Sequence, residues 1–168
     1  MDPRRLAEIG RELTGTLPLV RLPRLAQVIC EPATGEESVA YRLSFRRDAG
    51  GRALVQGEVT ATLRLPCERC NGIVSLPVAS EFTLAVVVGL DQAAQLPEDY
   101  EPLLPEDGAV DPAGLVEDEL LLALPAVARH PAGTCRPPHY EQPDESADTS
   151  VRAKDNPFAV LESLKRRH

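Results

Sequence analysis

Four side chains with soft or borderline donor atoms stand out: Cys67, Cys70, His130 and Cys135. Cys67-Glu-Arg-Cys70 is followed by Asn71-Gly72, a turn signal between two strand-like runs. A CxxC on a hairpin tip points both sulfurs at one position, which suits a zinc knuckle. His130 and Cys135 flank a Pro-Ala-Gly turn and supply the second pair of a Cys3His set, with His139 as a competing ligand. Reduced cysteines that close a loop without metal account for the same residues. A thiol-redox site is a third reading. It needs a CxxC at a helix start, where the dipole lowers a thiol pKa, and here strands flank the motif. Cys30 stands apart and reads as a small buried apolar residue.

Other chemistry is absent from the pattern. No Gly-rich phosphate loop, nucleophile elbow or Ser/His/Asp set occurs, so an enzyme acting on a small-molecule substrate is not expected. Glu117, Asp118 and Glu119 are adjacent, about 100° apart on a helix, and do not converge; they read as a solvated helix face. Aromatics make up 4% of the chain and Trp is absent, so no base-stacking platform is visible.

Charge is unevenly spread. The net charge is −8, and residues 91–120 hold ten acids with no Lys or Arg. Residues 151–168 hold five bases and two acids. The body is expected to repel a phosphate backbone and the tail to attract one. No N-terminal apolar run suggests a signal peptide, and no run approaches about 18 apolar residues. The expectation is a cytoplasmic protein without membrane contact, in which four cysteines are unlike a disulfide framework.

The elements that must position the cysteines are strands and one helix. Val39, Tyr41, Leu43 and Phe45 alternate with polar residues, as do Val55, Val59, Ala61, Leu63 and Leu65, and then Val74 to Val88. Gly57 suggests a bulge, and Pro77 an edge or bent strand. Short links between these runs imply an antiparallel meander. In 111–125, Asp111 is a good cap, Pro112 suits the first turn, and Pro125 stops the helix near Leu124. Val116, Leu120, Ala123 and Leu124 form its apolar face, widened by Leu115, Leu121 and Leu122. Residues 1–14 predict a short helix through Leu6, Ile9 and Leu13, and residues 15–37 are Pro-broken and extended. Residues 91–110, with three prolines, read as a long connection along the sheet edge.

The fold class is therefore α+β: an antiparallel meander sheet covered by a helix, filling residues 1–135. Residues 136–155 lack apolar periodicity and predict a disordered linker. Residues 156–168 predict a short basic helix, with Phe158, Leu161 and Leu164 as a stripe and Lys165, Arg166 and Arg167 at its end. Such a short helix is marginal alone and needs a surface, which makes these six residues a candidate partner contact.

Several motifs occur together in one order: Leu65-Pro-Cys-Glu-Arg-Cys70, Leu96-Pro-Glu-Asp-Tyr-Glu-Pro102, Val116-Glu-Asp-Glu-Leu-Leu-Leu-Ala-Leu-Pro125, then His130 and Cys135, then Asn156-Pro-Phe-Ala-Val-Leu-Glu-Ser-Leu-Lys165. This order resembles the large ribosomal RNA subunit accumulation (YceD) family of bacteria, which has plastid relatives. The likeness is motif-rich from about residue 60 to 135 and over the last dozen residues. It implies a non-enzymatic cytoplasmic protein needed for synthesis, processing or stability of 23S ribosomal RNA. Its partner would be pre-ribosomal 23S RNA or a ribosome-assembly or RNA-processing protein. Relatives in that family often carry a cysteine where this chain has His130, which supports pairing the two halves of the site around a structural zinc. The alternatives of another class are a protein-only adaptor that never touches RNA, and a CxxC thiol-redox protein.

Overall fold

The computed structural model describes residues 1–30 and 37–138. The linker and the tail helix expected at 136–155 and 156–168 lie outside the described residues beyond Pro138, as do Phe158, Leu161, Leu164, Lys165, Arg166, Arg167 and His139.

The elements run α1 (Pro3–Glu8), β1 (Glu12–Pro18), a 3-10 turn at Leu19–Arg21, α2 (Pro23–Ala26), β2 (Ser38–Arg47), β3 (Ala53–Pro66), β4 (Ile73–Val86), α3 (Leu90–Ala93), β5 (Glu101–Leu103) and α4 (Pro112–Ala123). The strands form one sheet in chain order, β1 to β4 antiparallel and β5 parallel to β4. The α+β class stands, with two strands more than the three that alternation marked. The helix expected over residues 1–14 stops at Glu8. Gly10 has φ +61, a conformation that ends a helix cheaply only with glycine, and the chain then extends into β1. Leu13 therefore lies on a strand, and Ile9, counted on the helix's apolar face, is exposed.

Alternation holds along the long strands. Val39, Leu43, Phe45, Val55, Val59 and Leu63 are fully buried on one face. Two joined clusters fill that face. One gathers Leu22, Leu25, Val39, Val59, Leu63, Val116 and Leu120, and the other Ala7, Leu43, Phe45, Val55, Leu84 and Leu115. The cover is thus α1, α2 and α4 together rather than α4 alone. Gly57 marks no bulge: the β3–β4 register runs unbroken through Gly57↔Phe82. A Cβ at Gly57 would run into the Phe82 ring, so the glycine admits the aromatic of its cross-strand partner. Pro77 does sit on an edge, because β5 pairs only with Leu84–Val86 and leaves the rest of β4 uncovered on that side.

Helix α4 begins as its sequence requires. The Asp111 carboxylate accepts from the backbone N–H groups of Ala113 and Gly114, each at 3.2 Å, and Pro112 occupies the first turn. It ends at Ala123, and Leu124 is already extended ahead of Pro125. Val116 and Leu120 are fully buried, while Leu122 points to solvent. The expected solvated acidic face is not what α4 presents: Glu117 and Glu119 are buried and only Asp118 is exposed. Glu117 Oε1 accepts from the backbone N–H groups of Arg24 (2.7 Å) and Leu25 (3.0 Å), and Oε2 from Arg24 Nε (2.9 Å). The carboxylate thus satisfies the free N–H groups at the start of α2 and ties α2 to α4. Among the described residues no helix is long and apolar enough to cross a membrane.

Candidate metal centre

The β3–β4 ladder runs out to Pro66↔Ile73, so a six-residue link, Cys67–Gly72, must reverse the chain. Cys67 N–H donates to Gly72 O at 2.7 Å, and Asn71 N–H to Cys67 O at 2.8 Å. Asn71 takes φ +58, which asparagine tolerates better than most residues. Gly72 N–H approaches Cys70 Sγ at 3.4 Å. The turn therefore fixes both sulfurs on one side of the hairpin tip, as the spacing predicted.

The second pair arrives on the strap that follows α4. Glu68 N–H donates to Ala128 O at 2.9 Å, and Ala128 is buried against Leu65, Cys67 and Val74. Two residues on, His130 N–H points at Cys67 Sγ at 3.5 Å. His130 Nε2 lies 3.1 Å from Ile73 O. A carbonyl only accepts, so Nε2 carries the proton and the Nδ1 lone pair faces Cys70 Sγ, 3.5 Å away. A turn at Pro131–Thr134, with Gly133 at φ +81, swings Cys135 back until its Sγ is 4.0 Å from Cys67 Sγ.

The four donor atoms all lie within 4.8 Å of one another. A tetrahedral zinc with arms of about 2.0–2.3 Å needs donor–donor edges of about 3.4–3.8 Å. The 4.0 and 3.5 Å edges lie close to that, and an edge at the 4.8 Å limit would contract by about 1 Å to seat the ion. All four cysteines are free thiols. Electrostatics point the same way. Burial pushes the Cys67 thiol up, but the N–H groups of His130, Arg69 and Cys70 outweigh it and bring the pKa down to about 5. Cys135 is raised, by burial first and then by Cys70 and Cys67 beside it. A second thiolate next to Cys67 thus needs a cation to offset the repulsion, which a divalent ion supplies. Arg69 Nη1, 3.7 Å from Cys135 Sγ, would balance the negative charge that three thiolates leave in excess of a divalent ion. Cys67 is 1% exposed, so its thiolate is placed for ligation rather than for attack on a substrate in solution.

Cys30 is outside this group: it is half-buried, and its N–H donates to Arg64 O at 2.7 Å. Sequence reasoning missed the supporting cast. The Ile73 carbonyl that sets the histidine tautomer leaves no residue-type signal, since any residue has one. Arg69 lay in view inside the CxxC.

Residues 55–165 match the family described as Large ribosomal RNA subunit accumulation protein YceD. The chain is also 35% identical, over 168 residues, to the Large ribosomal RNA subunit accumulation protein YceD of Haemophilus influenzae, an alignment covering 99% of this chain and 95% of that protein. No solved structure matches the chain. The matched span takes in β3, the cysteine hairpin, α4 and the strap to Cys135, and the alignment extends the likeness to nearly the whole length. By both measures the chain belongs to the YceD family of large ribosomal RNA subunit accumulation proteins.

Proposed function

We propose that this protein supports the synthesis, processing or stability of 23S ribosomal RNA during biogenesis of the large ribosomal subunit. It acts in the cytoplasm and without catalysis of its own, through pre-ribosomal 23S RNA or through a ribosome-assembly or RNA-processing protein. The observation that carries this reading is the 35% identity over nearly the full length to a protein named for accumulation of that RNA. In the same reading, Cys67, Cys70, His130 and Cys135 hold one structural zinc ion that pins the post-α4 strap to the β3–β4 hairpin. Phe158, Leu161, Leu164, Lys165, Arg166 and Arg167 dock a terminal helix on the partner, with a stripe suited to a groove and bases suited to phosphate.

The test is complementation. A strain lacking the native protein should show a lowered ratio of 23S to 16S RNA, restored by the full chain. Deleting residues 156–168 should leave the melting temperature of the remaining chain nearly unchanged and still fail to restore the ratio. An unchanged RNA ratio in the deletion strain refutes the function. Full rescue by the truncated chain removes the tail from it.

A further inference from the structure

The acids and bases of this chain are segregated, and the expectation that the body repels phosphate overlooks one end of the sheet. Residues 1–52 hold nine arginines, no lysine and seven carboxylates, a net of +2 in a chain of −8. Three of those arginines come from separate elements to one cavity of about 340 Å³: Arg4 from α1, Arg47 from the last position of β2, and Arg52 from the turn before β3. Gln92 and Gln95 also line it, and no carboxylate does. It lies at the β2–β3 hairpin end, whereas the cysteine hairpin caps the far end of the same β3 strand.

The donors are positioned and only partly spent: Arg47 and Arg52 each use one nitrogen on a neighbouring carboxylate, Glu8 and Asp48, and keep further N–H groups. Arg47 donates through Nη2 to Glu8 (2.8 Å) and through Nη1 to the Gly51 carbonyl (2.6 Å), which holds its guanidinium at the rim with the side chain 44% exposed. Arg52 uses Nη1 on Asp48 at 3.0 Å and keeps its other N–H groups. Arg4 is exposed and makes no ion pair among the described residues. Gln92 Oε1 is already engaged by Val88 N–H at 2.9 Å, so what it has left to offer is its amide donors. Of its apolar lining, Ala85, Val86 and Val87 are buried and Leu96 is half-buried, so the accessible side chains are mainly the arginines and glutamines.

We infer that this arginine-lined cavity is a phosphate seat for the backbone of an RNA strand, and that it is the RNA contact of the folded domain. The inference rests on the ribosomal RNA reading above and gives it a surface. Forked guanidinium donors from three elements suit phosphate oxygens, for which arginine offers bidentate geometry. The carboxylates Glu98, Asp99 and Glu101, together with Glu81 and Glu119, line a different cavity and would keep a strand off that side of the sheet.

The experiment uses the full chain, metal included, and a short fluorescein-labelled single-stranded fragment of 23S RNA, read by anisotropy across a salt series. Arg4→Gln/Arg47→Gln/Arg52→Gln removes only exposed arginines, and circular dichroism confirms that it folds. If each makes one phosphate contact on a single strand, the salt slope should fall by about 2, and affinity near 0.1 M salt should fall by about 100-fold. The double variant Arg21→Gln/Arg42→Gln removes charge elsewhere and should bind within about threefold of wild type. A triple variant that keeps wild-type affinity and slope overturns the seat and leaves the ribosomal RNA reading standing. A wild-type chain that binds no RNA also overturns it, and moves that reading to a protein partner. Loss, in the triple variant, of a nuclease-resistant protein partner with RNA binding intact assigns the cavity to an acidic protein and refutes the inference.

Discussion

Replacing Glu117 by Ala tests whether α2 is held to α4 through one buried carboxylate. The side chain is 5% exposed and accepts three hydrogen bonds, two from backbone N–H groups and one from Arg24 Nε. The Arg24 side chain is 51% exposed and can turn to water, so its loss costs little. The Leu25 N–H cannot, because Leu25 is fully buried, and the Arg24 N–H, in a part-buried bond, is only partly open to water. A hydrogen bond to a charged group contributes about 1.5–3 kcal/mol, so losing two costs about 3–6 kcal/mol. Relief of the carboxylate's own desolvation returns part of that, leaving about 3–4 kcal/mol. Glu117→Gln keeps one acceptor oxygen without the charge and should cost about 1–2 kcal/mol. Asp118→Ala, on the exposed side of the same turn, should cost about 0.5 kcal/mol or less. Trp is absent, so urea unfolding is followed by far-UV circular dichroism. The pH dependence provides a second check. Burial pushes the Glu117 carboxyl up, but the Leu25 N–H, the Arg24 guanidinium and the Arg24 N–H outweigh it and hold it below the ordinary value of 4.5. A depressed carboxyl stabilises fully above that value and loses its contribution as pH falls through the lower folded value. Wild type should therefore lead Glu117→Ala at neutral pH and converge on it in acid. A deficit under about 1 kcal/mol at neutral pH, or one that persists in acid, refutes the reasoning.

Gly57→Ala should cost about 1–3 kcal/mol, because its methyl meets the Phe82 ring, and adding Phe82→Leu should recover part of the loss in a double-mutant cycle. Leu120→Asp puts an unpaired charge at a fully buried position and should destabilise by about 3 kcal/mol or more in the same urea assay. The Glu119 carboxyl is raised by burial, with Glu101 and Asp118 adding to the rise and the Ser80 hydroxyl opposing it, so wild-type stability should fall as pH rises from 4.5 through the raised folded value. Glu119→Gln keeps the acceptor for Ser80 and should melt higher than wild type at neutral pH, with a flatter pH profile. Elemental analysis of untagged protein should find about one zinc per chain, released by acid and missing from Cys70→Ser.

The clustering of Cys67, Cys70, His130 and Cys135 was legible from sequence because each half depends on local chemistry: a CxxC on a two-strand turn, and a strap released by a helix-stopping Pro125. What brings the halves together is long-range, but a continuous β3–β4 ladder leaves the hairpin few alternatives. Glu117 was misread for the opposite reason. A run of three acids predicts solvent when only residue type is counted, and the partners that reverse the reading are 92 and 93 positions away. Those partners sit in the Pro-broken segment before residue 37, where no periodicity marks an element. β1 was lost because Leu6, Ile9 and Leu13 fit helical spacing as well as a helix followed by a strand. Only the positive φ of Gly10 separates the two. The arginine cavity was equally hidden, since Arg4, Arg47 and Arg52 converge only when α1 packs beside the β2–β3 hairpin.

The strap carrying His130 and Cys135 is held in two stages, and this limits what a metal there would do. The first stage is packing. α4 is fixed by Val116, Leu120 and Glu117, Leu124 packs against both the main core and the hairpin cluster, and Ala128 is buried beside Cys67 with its carbonyl on Glu68 N–H. None of these contacts uses a ligand atom other than the Cys67 sulfur. The second stage begins at His130, where the strap's Cys135 Sγ and His130 Nδ1 meet the hairpin sulfurs and the ring is steadied by the Ile73 carbonyl. A cation there would order the few residues beyond Ala128 rather than create the core. The same few residues connect the domain to residues 139–168. The centre is therefore placed to pin the strap from His130 to Cys135 onto the β3–β4 hairpin at one end of the sheet.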